Sequence, residues 1–422
     1  MTEKEMTAAA KTPQDAKLLS TPPVEKKKDP AAEKLETERS VYKASSTSAH
    51  IDAFFKDIDA RAQAHPISTG LPTLDKLLDG QLREGLIVLG AVSSQGKTTL
   101  ALQIADNVAA GGDDVLYFSL EQGELELMAK SISRVTYELA CGHNDESLAS
   151  TSHFIATKAD WKAALSAKKQ LILMAADTYR SRTDGHLYIS ESIGDVSSVT
   201  VRKAIEYHEQ MTGRLPGLVV IDYLQIMRAA DPRATDKQNC DAGMHELKQL
   251  SRDFHLPILL ISSFNRDSYW TPVDMNCFKE SGSIEYGCDV LLALQYDGMD
   301  YLLGESEKDK NRPNRIRELK RANEESSKNG IPVPMQIKVL KNRNGPKDSA
   351  VLNYLHRYNV FLDPLGASTG APEAVSSVSP QMNVWGEIEK AREAKKKKPK
   401  PPLAKSEPDT AAAVADCDEL PF

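Results

Sequence analysis

Short apolar runs alternate with amphipathic segments along the middle of the chain. The runs are rich in large apolar and β-branched residues and predict strands. They lie at residues 86–89, 114–120, 186–189, 218–221, 257–262, 289–295, 335–340, 351–355 and 360–362. Between them, apolar residues recur three or four positions apart, as Met244, Leu247 and Leu250 do, and predict helices. Strands that alternate with helices favour an α/β fold with a mostly parallel sheet covered on both faces, which the last two runs could close.

A separate amphipathic helix is predicted before this domain, within residues 48–64. Ile51, Phe54, Phe55 and Ile58 recur at the i, i+3, i+4, i+7 spacing of one helix face. This apolar stripe packs within its own chain or docks on a neighbouring subunit, and the pattern alone does not decide between the two.

Both ends of the chain have the composition of flexible segments. Residues 1–47 are rich in Lys, Glu, Ala, Pro, Ser and Thr, and residues 365–415 in Ser, Pro, Ala and Lys, so neither buries enough apolar surface to order itself. We interpret their lysine runs, at 26–28 and 395–398, as solvated charge, with weak nucleic-acid binding as the alternative. The chain then ends with the acidic segment DCDELPF, residues 416–422.

The overall charge limits the classes of partner. The chain has a formal net charge of −7 at pH 7, which excludes a globally basic nucleic-acid binder but allows a local basic lining.

The chain's 5 cysteines are scattered without a CxxC pair, which indicates reduced thiols and a cytoplasmic location. Cys141 and His143 are close, but no second pair completes a zinc site. We expect no membrane span, because no apolar run is long enough.

The segment AVSSQGKTT has the sequence context of a phosphate-binding loop. It follows the strand at 86–89 and precedes a helix, so backbone N–H groups and a helix N-terminus would point at one place. Lys97 would reach the β- and γ-phosphates of a nucleotide, and the Thr98 hydroxyl would ligate Mg²⁺. Its residues are Ala91, Val92, Ser93, Ser94, Gln95, Gly96, Lys97, Thr98 and Thr99. Ala91 stands where the usual pattern, G-x-x-x-x-G-K-[ST], has its first glycine.

Two carboxylates follow strands of the same predicted sheet. Asp222 follows residues 218–221 and fits the acidic residue that holds Mg²⁺ through water. Glu121 follows residues 114–120 and fits the general base that deprotonates a water molecule attacking the γ-phosphate. With Lys97 and Thr98, these residues are chemically sufficient for slow hydrolysis of ATP.

A pair of cations lies near the end of the folded domain. Lys341 and Arg343 are two residues apart on one predicted strand, so they project on the same side, and Asn344-Gly345-Pro346 turns the chain just beyond. They could stabilise transition-state charge on a neighbour's ATP, as an arginine finger does. A solvated hairpin tip is the alternative.

Five motifs, in this order along the chain, resemble those of one family. They are AVSSQGKTTL from residue 91, VLYFSLEQ from 115, VVIDYLQIM from 219, KESGSIEYGCD from 279 and KNRNGP from 341. Residues 50–363 are thereby similar to the C-terminal ATPase domain of the DnaB-type replicative helicases. The resemblance implies a RecA-like P-loop ATPase domain that uses ATP and Mg²⁺, bounded in this chain at residues 65–364.

The resemblance also implies roles for single residues. Glu121 is then the catalytic base, and Asp222 is the acid associated with Mg²⁺. Lys341 and Arg343 become fingers that act in trans within a homo-oligomeric ring, expected to be a hexamer. Residues 50–63 resemble the linker helix that docks on the adjacent subunit.

The motif KESGSIE resembles the family's loop for single-stranded DNA. Lys279, Glu280 and Gly282 are the positions carried over. Backbone N–H groups of a Gly/Ser loop plus one lysine can follow a phosphate backbone without reading bases. Movement along DNA in the 5′ to 3′ direction is implied by the resemblance.

Three features depart from the family's pattern. Ser263 stands where the family has a glutamine that senses the γ-phosphate and couples it to the DNA loop, and serine is too short to do both. In place of the N-terminal domain, which contacts primase in the family, this chain has residues 1–47. The terminal segment instead resembles the acidic tail of bacterial single-stranded-DNA-binding proteins, with a terminal carboxylate suited to recognition. Its matching residues are Asp418, Leu420, Pro421 and Phe422.

Together these patterns predict an ATP-dependent DNA helicase of the DnaB type, shortened and encoded by a mobile or accessory element. Primase, a helicase loader and proteins that bind the tail of the single-stranded-DNA-binding protein are the expected partners. One alternative is a RecA/RadA-like recombinase or regulatory ATPase, which the opening phrase ISTGLPTLDKLL would also suit. Another is an adaptor that hydrolyses ATP weakly and works through its tails.

Overall fold

The computed structural model describes residues 30–63, 65–144, 169–191, 196–222, 224, 233, 235–278, 281–301 and 312–366. The lysine runs and the terminal segment 416–422 lie outside these ranges. A boundary between two compact units falls between His65 and Pro66. No helix of the described ranges is long and apolar enough to cross a bilayer.

The first unit contains two helices joined by a 3-10 turn at Thr47–His50: α1 (Pro30–Ala44) and α2 (Ile51–Gln63). Helix α2 confirms the predicted amphipathic helix, and its four stripe residues each expose 45–58% of their surface. Helix α1 corrects the expectation of a flexible arm up to residue 47. Its residues from 34 onward are all exposed. The helix therefore rests on local propensity: it begins with proline and is rich in Ala, Glu and Lys.

The second unit combines helices on both faces of a sheet. Its helices are α3 (Pro72–Leu77), α4 (Lys97–Ala110), α5 (Glu124–Leu139), α6 (Lys169–Thr183), α7 (Ser198–Thr212), α8 (Asp236–Asp253), α9 (Ser281–Gly287) and α10 (Arg312–Lys328). Its strands are β1 (Gly85–Ala91), β2 (Val115–Ser119), β3 (Leu187–Glu191), β4 (Leu218–Asp222), β5 (Pro257–Ser263), β6 (Val290–Tyr296), β7 (Val333–Asn342), β8 (Ser349–Leu355) and β9 (Val360–Leu362).

These strands form one sheet in the order β3-β2-β4-β5-β1-β6-β7-β8-β9. All neighbours from β3 to β6 pair in parallel, whereas β7, β8 and β9 continue the sheet in antiparallel pairs. The predicted mostly parallel sheet is therefore confirmed. The last two strands extend its edge rather than close it, since β9 pairs with β8 alone within the described residues.

Alternation along the strands divides the core into two layers. In β1, Ile87 and Leu89 face the layer that also contains α4, whereas Leu86 and Val88 face the layer that contains α8. All seven residues of β1 are buried because both faces are covered, as in other parallel sheets. Strands β2, β4, β5 and β1 end side by side at one edge of this sheet.

Candidate active site

The phosphate loop lies between β1 and α4, at the edge where the parallel strands end. Two residues have left-handed backbone, Ser94 with φ +65° and Gly96 with φ +90°. Gly96 also lies against the aromatic side chains of Tyr354 and Phe361, and a Cβ there would come within 2.9 Å of both rings. Only glycine therefore satisfies both the backbone angle and the close approach.

Strands β8 and β9 hold the first turns of α4 in place. The rings of Tyr354 and Phe361 stack with centroids 4.3 Å apart. The hydroxyls of Thr99 and Tyr354 are 3.3 Å apart, and Gln103 exchanges two hydrogen bonds, of 2.8 and 2.9 Å, with the backbone of Phe361. The N-terminus of α4 thus has a fixed position relative to the sheet.

Lys97 is folded back onto its own loop. Its Nζ donates to the carbonyl oxygens of Ala91, at 3.2 Å, and Val92, at 3.5 Å. Burial lowers the pKa of Lys97, while the nearby carboxylates of Asp222 and Glu121 act to raise it. The ammonium is thus held by neutral carbonyls that an anionic phosphate oxygen could replace.

Asp222 is fully buried, and its two carboxylate oxygens have different surroundings. Its Oδ2 accepts a hydrogen bond of 3.3 Å from the Tyr117 hydroxyl, and the side chain of Thr98 lies close enough to the carboxylate to act against the rise in its pKa. Within the described ranges, Oδ1 has no hydrogen-bond partner. Burial raises the pKa of Asp222, and the charge of Glu121 adds to the increase.

A buried carboxylate oxygen without a partner, beside a threonine hydroxyl, fits a hard divalent cation. Oxygen ligands of this kind, shared with substrate phosphates, are those that Mg²⁺ uses. Thr98 and Asp222 are therefore brought together as the sequence predicted them, and Lys97 lies beside them.

Glu121 lies at the surface, two residues beyond the end of β2. Ser119 pairs in register with Asp222 on β4, so the two carboxylates follow neighbouring strands at one edge of the sheet. Ser119 Oγ donates to the carbonyl oxygen of Gln122 at 2.6 Å, which fixes the turn that carries Glu121.

Lys130 is a site residue that sequence reasoning missed. Its Nζ donates to Gln122 Oε1 at 2.5 Å, so α5 holds the turn from its other side. Burial lowers the pKa of Lys130, whereas the carboxylates of Asp222, Glu126 and Glu121 act to raise it. The available signal was a lysine on the inward face of an amphipathic helix, three residues after the buried Leu127.

Ser263 ends β5 directly beside the start of the phosphate loop. It pairs with Ala91 in the parallel register of β5 and β1. Ser263 therefore lies next to the phosphate loop.

Lys341 and Arg343 form a second group with α9. Lys341 Nζ donates to the carbonyl oxygens of Glu285 and Cys288, and Arg343 Nη2 donates to that of Tyr286. Gly282 is exposed in the first turn of α9. The other two residues predicted to bind DNA, 279 and 280, lie outside the described ranges, as does the terminal segment.

Comparison with known proteins identifies the family. The model of the DnaB-like helicase C terminal domain matches residues 66–363. The chain belongs to this family. Two curated relatives are the replicative DNA helicase DnaC of Bacillus subtilis (strain 168) and the replicative DNA helicase DnaB of Geobacillus stearothermophilus. The first is 28% identical over 304 residues and the second 27% identical over 303 residues. Each alignment covers 70% of this chain and 56% of the relative, so the chain spans about half the length of these relatives.

Two solved structures share the fold. One is an isolated ATPase domain, which superposes with a TM-score of 0.54 and 20% identity over 76% of this chain and 99% of that chain. The other is the structure of a DnaB-like replicative helicase and its interactions with primase. It has a TM-score of 0.52 and 20% identity over 78% of this chain and 71% of that chain. These likenesses confirm the predicted RecA-like α/β fold.

Proposed function

We propose that this protein is an ATP-dependent DNA helicase that assembles as a ring and moves along single-stranded DNA. The observation that carries the proposal is the buried Asp222, which lies beside Thr98 and Lys97 at the phosphate loop and has one carboxylate oxygen without a hydrogen-bond partner among the described residues. Membership of the DnaB-like family supports the helicase hypothesis.

In the proposed reaction, ATP binds with its phosphates on residues 91–99. Lys97 exchanges the carbonyl groups of Ala91 and Val92 for oxygens of the β- and γ-phosphates. Thr98 and Asp222 would hold Mg²⁺, which would supply positive charge to the phosphate oxygens.

Glu121 acts as the general base of this reaction. It orients a water molecule and takes its proton as the water oxygen bonds to the γ-phosphorus. The bond to the β–γ bridging oxygen breaks, and that oxygen leaves with ADP. The turn held by Ser119 and Lys130 keeps Glu121 in place, and such positioning is most of what phosphoryl transfer requires of a protein.

The second half of each ATP site comes from a neighbouring subunit in this proposal. Lys341 and Arg343 lie at the tip of β7, where they bond to α9 within their own chain. In a ring, the same tip would reach the γ-phosphate bound by the next subunit. The exposed stripe of α2, led by Phe54 and Phe55, would dock on that neighbour and hold the ring together.

Single-stranded DNA would pass through the centre of the ring. Lys279, Glu280 and Gly282 are the residues proposed to hold its phosphate backbone, with movement 5′ to 3′. Primase and a helicase loader are proposed partners, and the tail residues 418–422 would recruit proteins that read the single-stranded-DNA-binding protein. A mobile or accessory element is the proposed genetic setting.

Ser263 favours a second candidate function. A serine at the end of β5 cannot span from the γ-phosphate to the DNA loop as a longer side chain does. A protein with weak coupling would bind ATP and DNA but hydrolyse ATP slowly, and would serve as an adaptor.

The rate of ATP hydrolysis, with and without single-stranded DNA, tests the proposal. Light scattering with ATP and Mg²⁺ should show a ring-sized particle, and DNA should raise its turnover. Lys97→Ala should lower turnover about 100-fold or more, because the phosphates lose their main cation. Lys203→Ala, which removes an exposed lysine of α7, should behave as wild type. A monomer whose ATP turnover is unchanged by DNA would contradict the proposed helicase and favour the adaptor.

A further inference from the structure

Three cationic side chains converge on the last turn of α9. Besides accepting from Lys341, this turn is held by Lys248 of α8, whose Nζ donates to the carbonyl oxygen of Gly287 at 3.0 Å. Lys341 Nζ lies 2.7 Å from the carbonyl oxygen of Cys288 and also bonds to that of Glu285. Arg343 Nη2 donates to the carbonyl oxygen of Tyr286 at 3.4 Å.

Four successive carbonyl groups, 285 to 288, therefore each accept from a cation. The last carbonyls of a helix have no partner within it, so side chains that donate to them fix the helix end. Asp289 completes the group, since its Oδ1 lies 2.8 Å from Lys248 Nζ and 3.5 Å from Arg343 Nε. The helix end is held by three cations drawn from two other elements.

The three cations are not equally free to leave the end of α9. Lys341 and Arg343 are at the tip of β7, and Arg343 is 44% exposed. Burial lowers the pKa of Lys341, and the charges of Arg343 and Lys248 lower it further, so the three cations repel one another where they meet. An anion on a neighbouring subunit would therefore attract Lys341 and Arg343 away from the end of α9.

Lys248, in contrast, is anchored. Its side chain is only 14% exposed. Met244, one turn earlier on α8, packs so closely that a Cβ on Gly287 would lie 2.9 Å from its Cε. Asp289 is fixed in turn, because its Oδ2 accepts a hydrogen bond of 3.0 Å from the backbone N–H of Leu86 at the start of β1.

We infer that Lys341 and Arg343 bind either the end of α9 or a neighbour's nucleotide, but not both, and that Lys248 is a positioning residue that keeps α9 in place when they leave. Lys341 uses two of its three N–H donors on carbonyl oxygens of its own chain, so it must release them to direct all its donors at a phosphate across a subunit boundary. This inference rests on the proposed function, since it takes the fingers to act in trans.

The exchange gives the neighbour's ATP a route to the DNA loop. Helix α9 begins at Ser281, directly after the first two residues proposed to bind DNA. When the fingers move to the nucleotide, three of the four carbonyls at the other end of α9 lose their partners. Among the described residues, Lys248 is then the one cation still bound to this end of the helix. This coupling does not need a long side chain at Ser263.

Amide hydrogen exchange of the full-length protein tests the inference. The measured segment is 283–290, with and without AMP-PNP and Mg²⁺. In wild type, nucleotide should raise exchange in this segment about threefold or more, because the helix end loses its partners. Replacing both fingers, as Lys341→Met with Arg343→Met, should give the raised exchange already without nucleotide and no further response.

The Lys248→Met variant isolates the positioning role. With AMP-PNP, its segment 283–290 should exchange faster than that of wild type, and its affinity for an oligothymidine should fall several-fold. Lys248→Arg should restore both. Lys338→Met is the matched control, because Lys338 is 22% exposed and bonds to Asp300 at 2.9 Å and a carbonyl, yet lies away from α9. It should behave as wild type.

Two results would overturn the inference. One is a wild-type segment whose exchange does not respond to bound nucleotide, and this result needs no variant to fold. The other is Lys248→Met behaving as Lys338→Met does. Turnover measured on the same preparations separates this from the proposed function, which fails instead if the finger variant hydrolyses ATP at the wild-type rate.

Discussion

The hydroxyl group of Tyr117 donates a hydrogen bond of 3.3 Å to Oδ2 of Asp222, deep between two neighbouring strands. Both side chains are fully buried, and Tyr117 leads on to the turn that carries Glu121. Since this bond engages Oδ2, Oδ1 is the oxygen proposed to hold Mg²⁺. The tyrosine thus fixes which face of the carboxylate is presented to the nucleotide.

Tyr117→Phe should therefore weaken the binding of Mg²⁺ at the active site while the protein remains folded. Loss of one hydrogen bond to a charged group should cost about 1.5–3 kcal/mol in the free energy of unfolding. The concentration of Mg²⁺ that gives half-maximal turnover should rise several-fold, because Asp222 can rotate. A magnesium titration of ATPase activity measures this, with Tyr207→Phe on the exposed side of α7 as the control. An unchanged midpoint for magnesium would contradict it.

The charge on Asp222 should destabilise the protein when no metal is bound. Its pKa is raised by burial, so the folded protein holds this proton more tightly than the unfolded chain does. The stability that protonation contributes is present below the unfolded-state pKa and is lost as pH rises through the folded-state pKa.

Asp222→Asn removes the buried charge, so the variant should not lose stability as pH rises through the pKa of Asp222. It should also lose ATP turnover. Without Mg²⁺ and nucleotide at pH 7, the variant should unfold at a higher urea concentration than wild type. Its free energy of unfolding should be greater by about 1–2 kcal/mol. The difference should shrink as pH falls toward 4. Asp253→Asn, on an exposed pair with Arg202, should change stability by no more than about 0.5 kcal/mol. A difference that does not depend on pH would be the contrary result.

Gly96 and Gly112 allow a matched test of the phosphate loop. Both have positive φ, of +90° and +94°, but a Cβ at Gly112 would meet nothing within 4 Å. Gly112→Ala should show only the backbone strain, about 1–2 kcal/mol. Gly96→Ala should add the contact with Tyr354 and Phe361, lose more stability and lose ATP binding. Urea unfolding and nucleotide binding by calorimetry measure both, and equal effects at the two glycines would contradict the role of the aromatic rings.

Lys130 should affect turnover through the turn that carries Glu121. Lys130→Met should lower kcat about tenfold while the KM for ATP changes less than about twofold, because its contact is to Gln122 and not to the phosphate loop. Lys130→Arg should recover much of the loss, and Lys203→Met should have no effect. A raised KM with kcat unchanged would show that Lys130 binds substrate instead.

Much of the fold follows from the sequence, because buried parallel strands leave continuous apolar runs. All nine predicted strands are present, and the phosphate loop brings Lys97 and Thr98 to Asp222 as expected. Helices α9 and α10 were not predicted. Helix α9 is short and contains two glycines, and α10 is dominated by charged residues, so neither has a clear apolar period.

Contacts between distant segments could not be read from the sequence. The positions of Lys130 and Lys248 depend on which face of a helix meets which turn, and single lysines on helices carry no motif. The bond between Lys341 and α9 joins residues more than fifty positions apart in the sequence. The motif KNRNGP predicted cations at a strand tip, but not what they bind within their own chain.

Mixing two inactive variants tests most directly the central claim, that each ATP site is shared between subunits. Lys97→Ala lacks the phosphate loop's cation, and Arg343→Ala lacks the finger. If the finger acts in trans, some interfaces of a mixed ring join an intact loop to an intact finger, so the mixture should recover a substantial part of the wild-type ATPase rate. If the finger acts within its own chain, every site remains defective. A mixture as inactive as its two components, in rings shown by light scattering to have exchanged subunits, would contradict the account.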